Sequence, residues 1–258
     1  MSYLSSQQLG ELGRLLHTFF ALPYSTDLDG KDAETLIRIV KGATGPRSKR
    51  KELFDIIDGT TGYSVKTLFK SPKSARVDLQ EQRFCDVEEV RGMRAAGRGS
   101  AAAQGRILLG YMYDRIREQM NARGIRVAKS LILLKHWDDA RSKFEFRYWE
   151  EDFIGFVEDL RRRDAAGEIE WVEQEAGLHA RDRLRLAPRR RSAEGIAEPV
   201  RLLRMHYKHN QIFTDHDIPP DAERISFKAK ALSWAEIAQM LEAAQTIAIQ
   251  ATDEGNVS

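Results

Sequence analysis

Two β-prone runs flanking a glycine-bounded turn constrain this chain more than any other segment. They are ELFDIID (52–58) and YSVKTLF (63–69), and Gly59-Thr60-Thr61-Gly62 between them reads as a four-residue hairpin turn. With the turn centred between Thr60 and Thr61, Asp55 stands opposite Lys66 and Ile57 opposite Ser64. Directly opposed residues share a sheet face with Cβ atoms roughly 5 Å apart, and alternation adds Ser64 to the face of Lys66. A carboxylate, a hydroxyl and an ammonium are therefore expected to converge on rigid strands. Asp58 is expected on the other face and is the second choice for the acid.

Helical periodicity precedes the hairpin. Leu9, Leu12, Leu15, Leu16 and Phe19 line one face of a helix over 5–22, and Asp32 caps a second helix over 33–41. GATGPRSKRK (42–51) reads as a loop. After the hairpin, a third strand or an irregular segment is expected over 77–87. A long helix then spans 101–122, with Ile107, Leu108, Tyr111, Met112 and Ile116 inward. SLILLKHW (130–137) has the near-continuous apolar character of a strand covered on both faces. KFEFRYWEE (143–151) alternates, with Phe144, Phe146 and Tyr148 on one face, and pairs with it through DDARS. A helix over 152–163, strands near 168–172, 183–186, 202–207 and 224–230, and a helix over 233–248 opened by Ser233 and Glu236 complete the reading. The fold class is α/β, a mixed central sheet flanked by helices, with an additional C-terminal α+β portion. Residues 1–137 hold the N-terminal helices and the core, and residues 138–258 the additions, as two parts or as one compact domain.

At 258 residues the chain can bury a core without cross-links. With 42% hydrophobic and 31% charged residues it is neither disordered nor fibrous. A single cysteine, Cys85, excludes an internal disulfide and fits a reducing cytoplasm. No apolar run approaches the roughly 18 residues of a membrane span, and no signal peptide is seen, so a soluble cytoplasmic protein is expected. Net charge is only +2, but between Arg181 and Lys208 nine Lys or Arg residues stand against three acids. That segment, and a second basic stretch over 41–51, can neutralise phosphates, as solvated loops also can.

The hairpin group suits phosphodiester cleavage. A carboxylate can hold Mg²⁺ with water and a phosphate oxygen, and an adjacent lysine can orient the attacking water. FDIIDGTTGYSVKT (54–67) resembles the nuclease signature of the PD-(D/E)xK superfamily, in which an Asp on one strand precedes an acid-x-Lys on the next. Ser64 stands where the second acid usually lies. This is similar to a Ser-x-Lys variant among type II restriction endonucleases, whose missing carboxylate comes from a Glu about fourteen residues beyond the Lys. Glu81 falls fifteen residues beyond Lys66, with Asp78 as fallback and Glu34 as a further acid near the metal. The resemblance covers residues 30–137 and implies an αβββαβ core. It further implies Asp55, Ser64, Lys66 and Glu81 as catalytic residues, with Mg²⁺ held by Asp55 and Glu81. A homodimer acting on double-stranded DNA and leaving 5′-phosphate ends completes the expectation.

RLRLAPRRR (183–191) reads as a phosphate clamp, a base-reading loop or a flexible charged loop. Arg183, Arg185, Arg189, Arg190, Arg191, Arg204 and Lys208 are the expected DNA contacts. His206, His209, His216 and Asp217 match no zinc spacing, and surface or DNA-contacting roles are expected for the histidines. A non-catalytic DNA-binding protein and a repair or RNA nuclease are the alternative readings.

Overall fold

A computed structural model describes residues 3–23, 25–43, 52–81, 92, 99–138, 143–188, 197–208 and 211–240. Along the chain these form α1 (Ser6–Ala21), α2 (Gly30–Lys41), β1 (Ile56–Asp58), β2 (Thr61–Phe69), β3 (Arg76–Glu81) and α3 (Ala101–Arg123). There follow β4 (Val127–Trp137), β5 (Phe144–Asp152), α4 (Phe153–Ala165), β6 (Ile169–Gln174), β7 (Gly177–Pro188), β8 (Ala197–His206), β9 (Gln211–Asp217) and β10 (Glu223–Phe227). The strands build two five-stranded sheets, β1-β2-β4-β5-β10 and β3-β9-β8-β7-β6. The first sheet is mixed, because β2 and β4 run parallel across the helical crossover through α3 while its other pairs are antiparallel. Strands from both sides of residue 137 share it.

Local chemistry fixes the first layer. Ser5 and Gln8 form a capping box that opens α1. Asp29, rather than Asp32, caps α2: its Oδ1 accepts the Asp32 N–H at 2.8 Å, so the helix begins earlier than expected. Gly42, at φ +62°, ends it in a left-handed turn that a side chain would strain. Leu12 and Leu16 of α1 and Ala33, Ile37 and Val40 of α2 bury against Leu131, Leu133, Phe144, Phe146 and Tyr148. Each large side chain taken from water there contributes roughly 1.5–3 kcal/mol. The alternation expected of β5 is thus present. Ile132 and Leu134 occupy the opposite face with Trp149, so β4 is covered on both sides as its apolar run implied.

The hairpin differs from its expected register. Gly59 and Thr60 alone make the turn, and the pairs are Ile56 with Tyr63, Ile57 with Gly62 and Asp58 with Thr61. Asp55 therefore does not stand opposite Lys66. β1 is short because the chain before it turns inward, burying Leu53 and Phe54 at 3% exposure each. The order helix, three strands, helix, strand is observed, yet β3 does not join β1 and β2. It heads the second sheet, paired antiparallel with β9. Strand β9, not anticipated from the histidine-rich sequence, turns Ile212, Thr214 and His216 inward.

Between the sheets lie α3 and α4, packed on β4 and on the inner face of β6–β8 through Leu108, Met112, Val157, Leu178 and Leu203. On the other side of the first sheet, Glu150 is buried and binds Lys41 Nζ at 2.8 Å and Lys129 Nζ at 2.7 Å. It also accepts the Tyr148 hydroxyl at 2.7 Å. Burial works to raise the pKa of Glu150, but hydrogen bonds from Lys129 and Lys41 outweigh it and keep the carboxylate ionised below the usual range.

Helix α3 meets the second sheet at Gly105, where an added Cβ would lie 2.2 Å from ring carbons of Trp171. Gly105→Ala is expected to lower the unfolding free energy by about 1–3 kcal/mol through this overlap, despite better helix propensity. Gly110→Ala, with nothing within 4 Å, is expected to raise it by up to about 1 kcal/mol. Urea unfolding of both variants checks the contrast, and equal shifts would contradict this packing.

Candidate active-site cleft

Because β1 pairs only as far as Tyr63, the outer edge of β2 from Val65 onward faces a cleft of about 510 Å³. Its walls are the start of α2 (Gly30, Glu34), β2 and its continuation (Val65 to Lys70), β3 (Asp78, Leu79, Gln80), Asp55 and Phe213.

Two carboxylates are anchored on consecutive residues of β2. Asp55 donates its N–H to the Tyr63 carbonyl at 2.8 Å, and its Oδ2 accepts the Val65 N–H at 2.8 Å. The side chain thereby replaces the ladder bond that a longer β1 would have made. Lys66 points to the opposite side of the sheet from Tyr63 and Val65. Its Nζ donates to Glu81 Oε2 at 2.7 Å and to the Gln80 carbonyl at 3.2 Å. The side chains of Lys66 and Glu81 are 15% and 2% exposed, so this ion pair is largely withdrawn from water. Lys66 and Glu81 thus meet directly, whereas Asp55 is fixed on the neighbouring Val65; Asp55 and Lys66 line the cleft, and Glu81 is not among its lining residues. Ser64 shares the face of Lys66 but is sealed in the interior.

Asp78 does not join them. It pairs with Lys70 and, at 3.2 Å, with Arg204. Burial acts to raise its pKa, but the hydrogen bond and charge of Lys70, then the charge of Arg204, hold it below the ordinary carboxylate value. Glu34 stands on the cleft wall, and Asp58 sits exposed at the hairpin turn. Among the described residues no three His, Cys, Asp or Glu side chains form a metal-holding group. His216 is buried between Glu151 and Thr214 Oγ1, the latter at 2.8 Å, and bridges the sheets.

The expected DNA contacts are dispersed. Arg204 lies half-buried beside the cleft, its guanidinium 4.2 Å from the Phe213 ring centroid. Arg183 and Arg185 are exposed on a bulge of β7, where Arg185 pairs with Asp217 at 2.9 Å. Beyond Arg183, whose N–H still reaches the Glu168 carbonyl at 2.9 Å, β7 pairs only with β8 among the described residues, giving a two-stranded ribbon with Leu184 and Leu186 exposed. Lys208 is exposed at the end of β8. Arg189, Arg190, Arg191, His209, Cys85 and most of the basic stretch 41–51 lie outside the described residues.

Sequence reading missed Lys70 and Phe213 as cleft residues. Lys70 lay four residues beyond Lys66 with no motif to mark it. Phe213 would have been found only by recognising β9, whose register sets it beside Gln80 and Arg204.

Lys66→Met is expected to destabilise the fold by about 3–5 kcal/mol, since it leaves the Glu81 carboxylate buried without its partner. Adding Glu81→Leu should restore most of that loss by removing the second charge. Urea unfolding of wild type, single and double variants measures this, and equal stability of the two variants would contradict a closed pair.

Comparison of the chain with protein-family models, curated proteins and solved structures found no match, which leaves the cleft itself to carry the functional reading.

Proposed function

We propose that the chain is a Mg²⁺-dependent endonuclease of the restriction type, hydrolysing double-stranded DNA to leave 5′-phosphate ends. It would act as a homodimer, one cleft per strand. One observation carries this reading: Asp55, anchored on the Val65 N–H, and Lys66, paired with the buried Glu81, both line an open cleft that also presents Lys70. The donor set suits Mg²⁺, which takes a few hard oxygen ligands from protein and keeps several waters. Asp55 and Glu81 are the residues that would hold it. When bound, it neutralises charge at phosphorus and acidifies a coordinated water.

The chain's own groups do the rest. Lys66, fixed by the Gln80 carbonyl as well as by Glu81, donates toward the attacking water and the phosphate oxygens. Lys70 adds positive charge at the mouth. The strand edge at Val65 keeps Asp55 in place, while Glu81, paired with Lys66 and 2% exposed, has to turn toward the cleft to share a metal with it.

A second reading, a DNA-binding protein without catalysis, draws on the Lys66–Glu81 pair itself. Each group neutralises the other, as a purely structural bridge would.

Unmethylated phage DNA incubated with protein and Mg²⁺ should give discrete fragments, and none with EDTA. Asp55→Asn keeps an acceptor for the Val65 N–H but removes the charge, and should slow cleavage by at least about 100-fold with the fold intact. Intact DNA from the wild type across several substrates would favour the second reading. A smear would keep hydrolysis but discard site specificity.

A further inference from the structure

The face of the second sheet turned away from the core carries chemistry that the cleft alone does not use. Register places Gln80, Phe213, Arg204 and His179 in one row across β3, β9, β8 and β7. Leu79, Thr214, Leu203 and Ala180 of the neighbouring row point inward. Arg201 and Arg181 stand side by side in the next outward position, with Glu170 of β6 opposite Arg181. Arg201 is held by Asp215 through two bonds of 2.6 and 2.9 Å, whereas Arg181 forms no ion pair among the described residues.

The charged groups acting most on His179 are cationic, while Asp215, Asp78 and Glu170 stand on the same face. Burial first, then Arg201, Arg181, Arg204 and His206, push the His179 pKa down to about 4. Aromatic surface adjoins the charge: Arg204 lies over Phe213, and His206 meets the same ring edge-on with centroids 5.5 Å apart. Phe213 also lines the cleft, and Arg204 reaches Asp78 on the cleft wall. The outer face and the cleft are therefore one continuous surface. Four strand spacings of about 4.8 Å give it a width near 20 Å, enough for several phosphates of a DNA strand.

We propose that this outer sheet face is the track on which DNA is held, its phosphates over Arg181, Arg201 and Arg204 and the nucleotide next to the cleft against Phe213. The proposal rests on the reading of the cleft as a DNA-cleaving site and names the surface that delivers the strand to it. Guanidinium groups match phosphate oxygens in shape and charge, and a ring stacked on Arg204 offers a flat surface to a sugar or base. The bonds of Arg201 and Arg204 to carboxylates hold their side chains in place ahead of binding, so less rotamer freedom is lost on contact.

The test is equilibrium binding of a fluorescent 30-base-pair duplex in EDTA, where no cleavage occurs, with the single strand of the same sequence as a second arm. Arg181→Glu is expected to weaken duplex binding about tenfold and to reduce the slope of affinity against salt by about one. Phe213→Leu, which keeps the apolar contact and removes the ring, should weaken it several-fold. Arg161→Glu, on α4 and away from this face, should change it little. Bound duplex should also raise the pKa of His179, read from its imidazole resonances, because phosphates offset the neighbouring guanidinium charge. Unchanged affinity in Arg181→Glu and Phe213→Leu, or an equal loss in Arg161→Glu, would overturn the proposal. So would a wild type that holds only the single strand. Failure of the nuclease reading shows separately, as intact DNA in Mg²⁺ with these binding losses still present.

Discussion

The Lys66–Glu81 ion pair joins the two sheets at β2 and β3, with the Lys70–Asp78 pair and Leu68 beside it. The strands belong to different sheets, so no backbone ladder links them, and the bridge passes through side chains. Removing both charges from water costs several kcal/mol per ion before their attraction is counted. Two features reduce that deficit: the Gln80 carbonyl takes a further Lys66 hydrogen, and Val77 and Leu79 pack beside it against Ile132, Leu134 and Trp149. The position of the cleft follows directly, since β3 is held near β2 without pairing with it.

A similar economy operates elsewhere between layers. The Glu150 cluster ties the end of α2 to the first sheet, and His216 with Glu151 ties β5 to β9. In each case a buried polar group, Glu150 or His216, meets a partner from another element, so a group that would be costly alone fixes how two layers sit. The apolar clusters supply most of the free energy, and these contacts add geometric specificity.

Much of the first sheet was legible in the sequence because its strands carry clear periods. The apolar run of β4 and the alternation of β5 each led to the observed burial. The hairpin register was misplaced by two residues, as Gly59-Thr60 suffices for the turn. An even shift preserves the faces, which is why Ser64 and Lys66 were still placed together. The route of Asp55 could not be read, because it depends on β1 ending early for the sake of Leu53 and Phe54. Glu81 was chosen from spacing, and its meeting with Lys66 rests on β3 crossing to the other sheet, a long-range event. β9 escaped notice because two of its three inward residues, Thr214 and His216, are polar and satisfy each other.

The ribbon formed by the far ends of β7 and β8 has a consequence for change over time. Its residues past Arg183 and before Val200 pair with one another and with no other strand among the described residues. Insertions, deletions and new side chains there would leave the cleft and both interior layers undisturbed. Sequence change can accumulate on this arm while the residues of the cleft stay under the constraint of a packed interior.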